Sequence, residues 1–116
     1  MGKWPLMRCK LNISIDDISP HSRSSTKVLE QCNRILAIFP DVKLSLFVPT
    51  AYWRTLGDTA TQGPLNISLF PDFCAQLASL ERSNFEICYH GHYHGIQHTS
   101  NNDELQYLGY DDALRV

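Results

Sequence analysis

With 116 residues and a formal net charge of −2, the chain has room for one small domain and carries no basic block to neutralise phosphates, which excludes electrostatically driven nucleic-acid binding. Charged residues make up 19% and hydrophobic residues 43%, proportions of a soluble globular protein. No apolar run approaches the roughly 20 residues that cross a bilayer, so no membrane partner is expected.

The N-terminal Met-Gly-Lys-Trp-Pro-Leu lacks a signal-peptide core, and Leu6 stands where a myristoylation signal carries Ser or Thr. A cytoplasmic location is therefore the default, and the sequons at Asn12 and Asn66 carry little weight. The first strand is expected over residues 10–15, where Leu11-Asn-Ile-Ser-Ile15 alternates and then meets Asp16 and Asp17. A helix is predicted from Thr26 to Phe39, capped by Ser24-Ser25 and ended by Pro40-Asp41. Its apolar stripe is Val28, Leu29, Cys32, Ile35, Leu36 and Phe39. A second strand follows at 43–48, with Leu44, Leu46 and Val48 on one face and Pro49 as its stop. Residues 50–70, which include Gly57, Gly63 and Pro64, read as an irregular segment of functional length.

A second helix is predicted over 72–80 with Phe73, Leu77 and Leu80 inward, and a third strand over 85–89, alternating Phe85, Ile87 and Tyr89. Gly109 to Val116 reads as the start of another helix, with Asp111 and Asp112 at the positive end of its dipole. Strands alternating with helices imply an α/β fold with parallel strands and right-handed crossovers. Three parallel strands with bare edges suggest the front part of a larger domain and a surface for self-association. The cysteines at 9, 32, 74 and 88 show no C-x-x-C spacing. They are expected to be small buried hydrophobes rather than disulfide partners or zinc-finger ligands.

The chemistry concentrates at two strand ends. Tyr89-His-Gly-His-Tyr-His-Gly95 places three of the five histidines within five residues, and imidazole is the commonest metal ligand among side chains. Gly91 and Gly95 suggest a backbone that bends tightly so that side chains converge. In parallel α/β sheets, binding residues collect at the carboxyl ends of strands, and both Asp16-Asp17 and the histidines stand there. A surface His-rich turn and a solvated acidic turn are the plainer alternatives for each motif alone. Together they favour a metal site, with one carboxylate as ligand and its neighbour as proton acceptor.

Ser14-Ile-Asp-Asp-Ile-Ser-Pro20, Leu46-Phe-Val-Pro49 and Glu86-Ile-Cys-Tyr-His-Gly-His-Tyr-His94 resemble the polysaccharide deacetylase superfamily of carbohydrate esterases, over the N-terminal part of its domain. The resemblance implies a partial (β/α) barrel and a divalent metal cofactor, expected to be zinc. It also implies hydrolysis of N-acetyl groups on a carbohydrate substrate. It gives Asp16 the role of catalytic base and makes Asp17, His90 and His94 the metal ligands. In that pattern His92 is an intervening position, although an extended backbone would put 90, 92 and 94 on one face. A metallo-hydrolase H-x-H-x-D-H motif needs Asp where His94 stands, and an amidohydrolase H-x-H belongs on a first strand. Neither His21 nor His98 matches the family's catalytic acid, and its later motifs have no counterpart. The rival expectation is a catalytically silent remnant that binds only metal or a partner. Tyr52, Trp53, Tyr89 and Tyr93 are available to stack on sugars, but core or loop packing is expected for each.

Overall fold

The computed structural model describes residues 2, 3, 5 and 8–116; Leu6, which bears on myristoylation, lies outside them. Its elements are β1 (Ile13–Ile15), α1 (Val28–Ile38), β2 (Leu44–Val48), β3 (Ala51–Tyr52), β4 (Leu65–Asn66), a 3₁₀ turn (Ile67–Leu69), α2 (Pro71–Ala78), β5 (Phe85–Tyr89) and α3 (Tyr110–Ala113). Three of the strands form a parallel sheet in the order β1-β2-β5. The register sets Ile13, Leu44 and Phe85 side by side, then Ile15, Leu46 and Ile87. Because strand side chains alternate, these residues share one face.

That face carries the core. Leu44, Leu46, Val48 and Phe85 bury against Leu29 and Cys32 of α1 and Phe73 of α2, with Ile18 closing one end. Burying one such side chain stabilises the fold by about 1.5–3 kcal/mol. The strands step in a single direction, so two right-handed crossovers bring both helices to the same face. No barrel closes among the described residues. On β5, Ile87 is 48% and Tyr89 63% exposed, although both point to the helix-bearing face.

Several local expectations are corrected. The first strand is confined to Ile13–Ile15, and Leu11 is exposed. Helix α1 starts two residues later than predicted, and its N-cap is Lys27, with no capping side chain. Thr26 and Lys27 accept backbone bonds from Leu29 and Glu30, and Ser25 Oγ accepts the Lys27 N–H at 3.4 Å just ahead of the helix. Phe39 is the C-cap and is exposed, because the last turn of α1 runs past the end of the short β1. Residues 50–70 are more ordered than predicted: β3 and β4 pair antiparallel, Ala51 with Asn66 and Tyr52 with Leu65. Of the cysteines, Cys32 is buried, Cys74 and Cys88 are half-buried, and Cys9 is exposed; all are free thiols. None of the described helices is long and apolar enough to cross a membrane.

Candidate metal centre

The carboxyl ends of β1 and β5 flank that of β2, and the chain continues from each into a loop above the sheet. After β1 the backbone of Asp17 takes φ 62°, the left-handed region that Asp tolerates better than most residues. Ile18 then rejoins the sheet by donating its N–H to the Phe47 carbonyl at 3.1 Å and is buried. After β5, His90 still donates its N–H to Val48 at 3.1 Å. The next residues line up along β3. Ala51 donates to the His92 carbonyl and Trp53 to the Tyr93 carbonyl, each at 2.8 Å. Positive φ at Gly91 (73°) and His94 (67°) curls the histidine segment back towards Asp17.

The result is a three-residue convergence. Asp17 Oδ1 lies 3.0 Å from His90 Nε2 and 2.8 Å from His94 Nε2. One ligating atom from each of Asp17, His90 and His94 falls within 4.8 Å of the others. This oxygen is buried, yet it has no hydrogen bond of good geometry despite the two close nitrogens. A tetrahedral zinc site with bonds of about 2.1 Å has ligand–ligand edges of about 3.4 Å. The Asp17 contacts, 3.0 and 2.8 Å, are a few tenths of an ångström shorter than that edge. Two imidazoles and a carboxylate match the donors of catalytic zinc sites and leave coordination positions for water and substrate. The residues therefore fit a divalent cation.

The surrounding groups set the imidazole tautomer and hold the loop. His94 Nδ1 is 2.8 Å from the Asn101 carbonyl, a pairing that assigns the proton to Nδ1 and leaves Nε2 bare towards Asp17. Asn101 is itself anchored, since its Oδ1 accepts the backbone N–H groups of Thr55 at 2.7 Å and Leu56 at 3.0 Å. Tyr52, only 2% exposed, sets its ring 5.5 Å from His94 on one side and 5.7 Å from His21 on the other. His90 rests edge-on to Phe47 at 5.8 Å.

Of the residues singled out in the sequence, Asp17, His90 and His94 are brought together and Asp16 is not part of the convergence. Asp16 is exposed and makes no hydrogen bond or ion pair with the described residues. His92 turns away to Thr50, whose Oγ1 is 2.6 Å from its Nδ1. His21 is buried with both ring nitrogens engaged: Nδ1 accepts from the Arg23 N–H and Nε2 donates to the Thr59 carbonyl. His98 is exposed on the following loop. Tyr52 is core, Trp53 and Tyr93 pack against each other, and Tyr89 alone of the four aromatics is exposed.

Glu104 was missed by the sequence reading. Its carboxylate accepts the backbone N–H groups of His92, Tyr93 and His94 at 2.8–3.0 Å. No motif signals an acid ten residues beyond a histidine cluster.

Without metal, the short contact to the His94 imidazole and the charges of both histidines hold the Asp17 carboxyl below the ordinary carboxylate range, against the opposing effect of burial. The short contact to Asp17 likewise raises His94, aided by the Asn101 carbonyl, while burial opposes the rise. A lowered carboxyl stabilises the fold above its unfolded pKa, and a raised imidazole does so below its own. In the metal-free chain the pair is therefore fully stabilising between about pH 4 and pH 6.5. The contribution is lost as pH falls through the lowered Asp17 value or rises through the raised His94 value. The melting-temperature difference between the wild type and Asp17→Asn is expected to peak in that window and shrink on both sides. Added zinc reverses the upper limb, because the metal requires neutral His94 and its stabilisation grows with pH. A difference that stays flat from acid to pH 9 would show that the pair does not form.

Comparison with protein-family models, with curated proteins and with solved structures yields no match to this chain.

Proposed function

We propose that the chain carries the metal-binding half of a hydrolytic site of the polysaccharide deacetylase kind, acting on the amide of N-acetylated carbohydrate. The observation that carries this reading is the convergence of Asp17, His90 and His94 at the carboxyl ends of parallel strands. A bound zinc would supply Lewis acidity towards the substrate carbonyl and acidify a water molecule. Asp17, His90 and His94 would hold it, with the Asn101 carbonyl keeping the His94 tautomer that presents Nε2. In this reading Asp16, next to Asp17 in the sequence and exposed, would take a proton from the attacking water. The exposed ring of Tyr89, at the end of β5 and one residue before His90, offers a stacking surface for a sugar.

One observation favours the second reading, a metal-binding chain without turnover. His21 has both nitrogens tied and His98 is exposed on a loop outside the convergence, so no described histidine is placed as an acid for the leaving amine.

The substrate class is tested by titrating chitin oligomers into the zinc-loaded chain and following amide and imidazole resonances. Shifts are expected at Tyr89, His90 and the flanking loop, and they should vanish in Asp17→Asn. Saturable shifts elsewhere, or none at millimolar oligomer, would remove carbohydrate from the proposal.

A further inference from the structure

The segment that follows the histidines folds back over them, and its contacts are concentrated on one side chain. Glu104 accepts four short contacts from three consecutive backbone N–H groups. Oε1 takes His92 at 2.9 Å and Tyr93 at 2.8 Å, and Oε2 takes His92 and His94, each at 3.0 Å. Consecutive N–H groups converging on one anion form a nest, a backbone shape that like-directed dipoles oppose unless a negative charge fills it. The left-handed residues Gly91 and His94 bound this nest at its two ends.

Gly91 has a second reason to be glycine. A Cβ there would stand 2.5 Å from Glu104 Oε2, inside contact distance of a carboxylate pinned by its other bonds. Glycine and carboxylate are thus matched to each other. The same curl that fills the nest sets the direction of His94, whose N–H is in the nest and whose Nε2 faces Asp17.

We propose that Glu104 is the positioning residue of the metal centre: its carboxylate fills the 92–94 nest and so fixes the backbone from which His94 reaches the ion. The role rests on the metal-binding reading above. Glu104 touches the loop through main-chain donors only, so it acts through His94.

The test uses the full chain and cobalt(II) as the probe, at a temperature where circular dichroism shows every variant folded. Glu104→Gln keeps the shape of the side chain but sets an NH₂ donor against at least one backbone N–H. Glu104→Ala removes the acceptor altogether. Both are expected to lose amide-exchange protection at residues 92–94 and to bind cobalt about 10–100-fold more weakly, the usual cost of losing a group that orients a ligand. The tetrahedral visible bands of the cobalt form should weaken or shift as His94 loses its direction. A residue that only stabilises the fold would lower the melting temperature and leave these bands and the affinity of the folded chain unchanged. Wild-type affinity and bands in a folded Glu104→Gln chain would overturn the assignment while leaving the metal site standing. A folded wild type with protected 92–94 amides and no bound cobalt would instead overturn the metal reading, and the positioning role with it.

Discussion

Asp17→Asn, His90→Ala and His94→Ala are each expected to abolish stoichiometric zinc binding, while Asp16→Asn retains it. Each of the first three removes one of three converging donors. The two donors left behind are of a number that ordinary protein surfaces often supply. Orienting groups outside the coordination sphere cost about 10–100-fold in affinity when removed, and loss of a ligand should exceed the upper end of that range. Asp17→Asn is the most informative of the three, because the amide keeps the shape of the side chain and removes the charge that draws both imidazoles. Asp16→Asn alters an exposed carboxylate without described partners, so both fold and metal content should survive. The measurement is metal content per chain after equilibrium dialysis, with circular dichroism to confirm folding. An Asp16→Asn chain that emerges metal-free, beside an Asp17→Asn chain that stays loaded, would reverse the roles of the two aspartates.

The 116-residue chain, loaded with zinc, is expected not to release acetate from chitin oligomers above background. An amide gives up its amine only when that nitrogen is protonated, and the described histidines outside the convergence are unsuited to the task. His21 is buried with both nitrogens bonded, His92 turns to Thr50, and His98 is exposed on a loop. Missing general-acid assistance costs a factor of about 10²–10⁴. The three consecutive backbone N–H groups of His92, Tyr93 and His94 are filled by Glu104 and are not free to bind an oxyanion. Lack of one such donor costs about 2.7–4 kcal/mol in other hydrolases. The two deficits compound and bring the rate close to that of free metal. Acetate release would be followed at chain concentrations where folding is verified, with Asp16→Asn as the control. Turnover that Asp16→Asn abolishes would mean the site is completed by other means, most simply by a second copy pairing along the uncovered β5 edge.

Much of this architecture follows from the order of residues alone. Alternation at Leu44-Leu46-Val48 and Phe85-Ile87-Tyr89 marks two strands, because a residue period of two has few other uses in a short apolar run. The stripe from Val28 to Leu36 marks α1 for the corresponding reason at a period near 3.6. That the Asp16-Asp17 pair and the histidine cluster share one end of the sheet was legible because parallel strands joined by helices bring their carboxyl ends together, whereas the choice of Asp17, His90 and His94 among them came from the family resemblance. Contacts between residues far apart in sequence were not legible. The β3–β4 pairing rests on two residues in each strand, too few to leave a pattern. The exposure of Phe39 depends on how far β1 extends beneath α1, a length that the alternation at Leu11 overstated. Asp17 rather than Asp16 meets the histidines, from a left-handed backbone position, and adjacent residues of the same type carry no local signal for the choice. Glu104 is the clearest case. An acidic residue in a polar loop has no periodicity and no motif, and only folding supplies the three N–H groups that give its charge a place to bind.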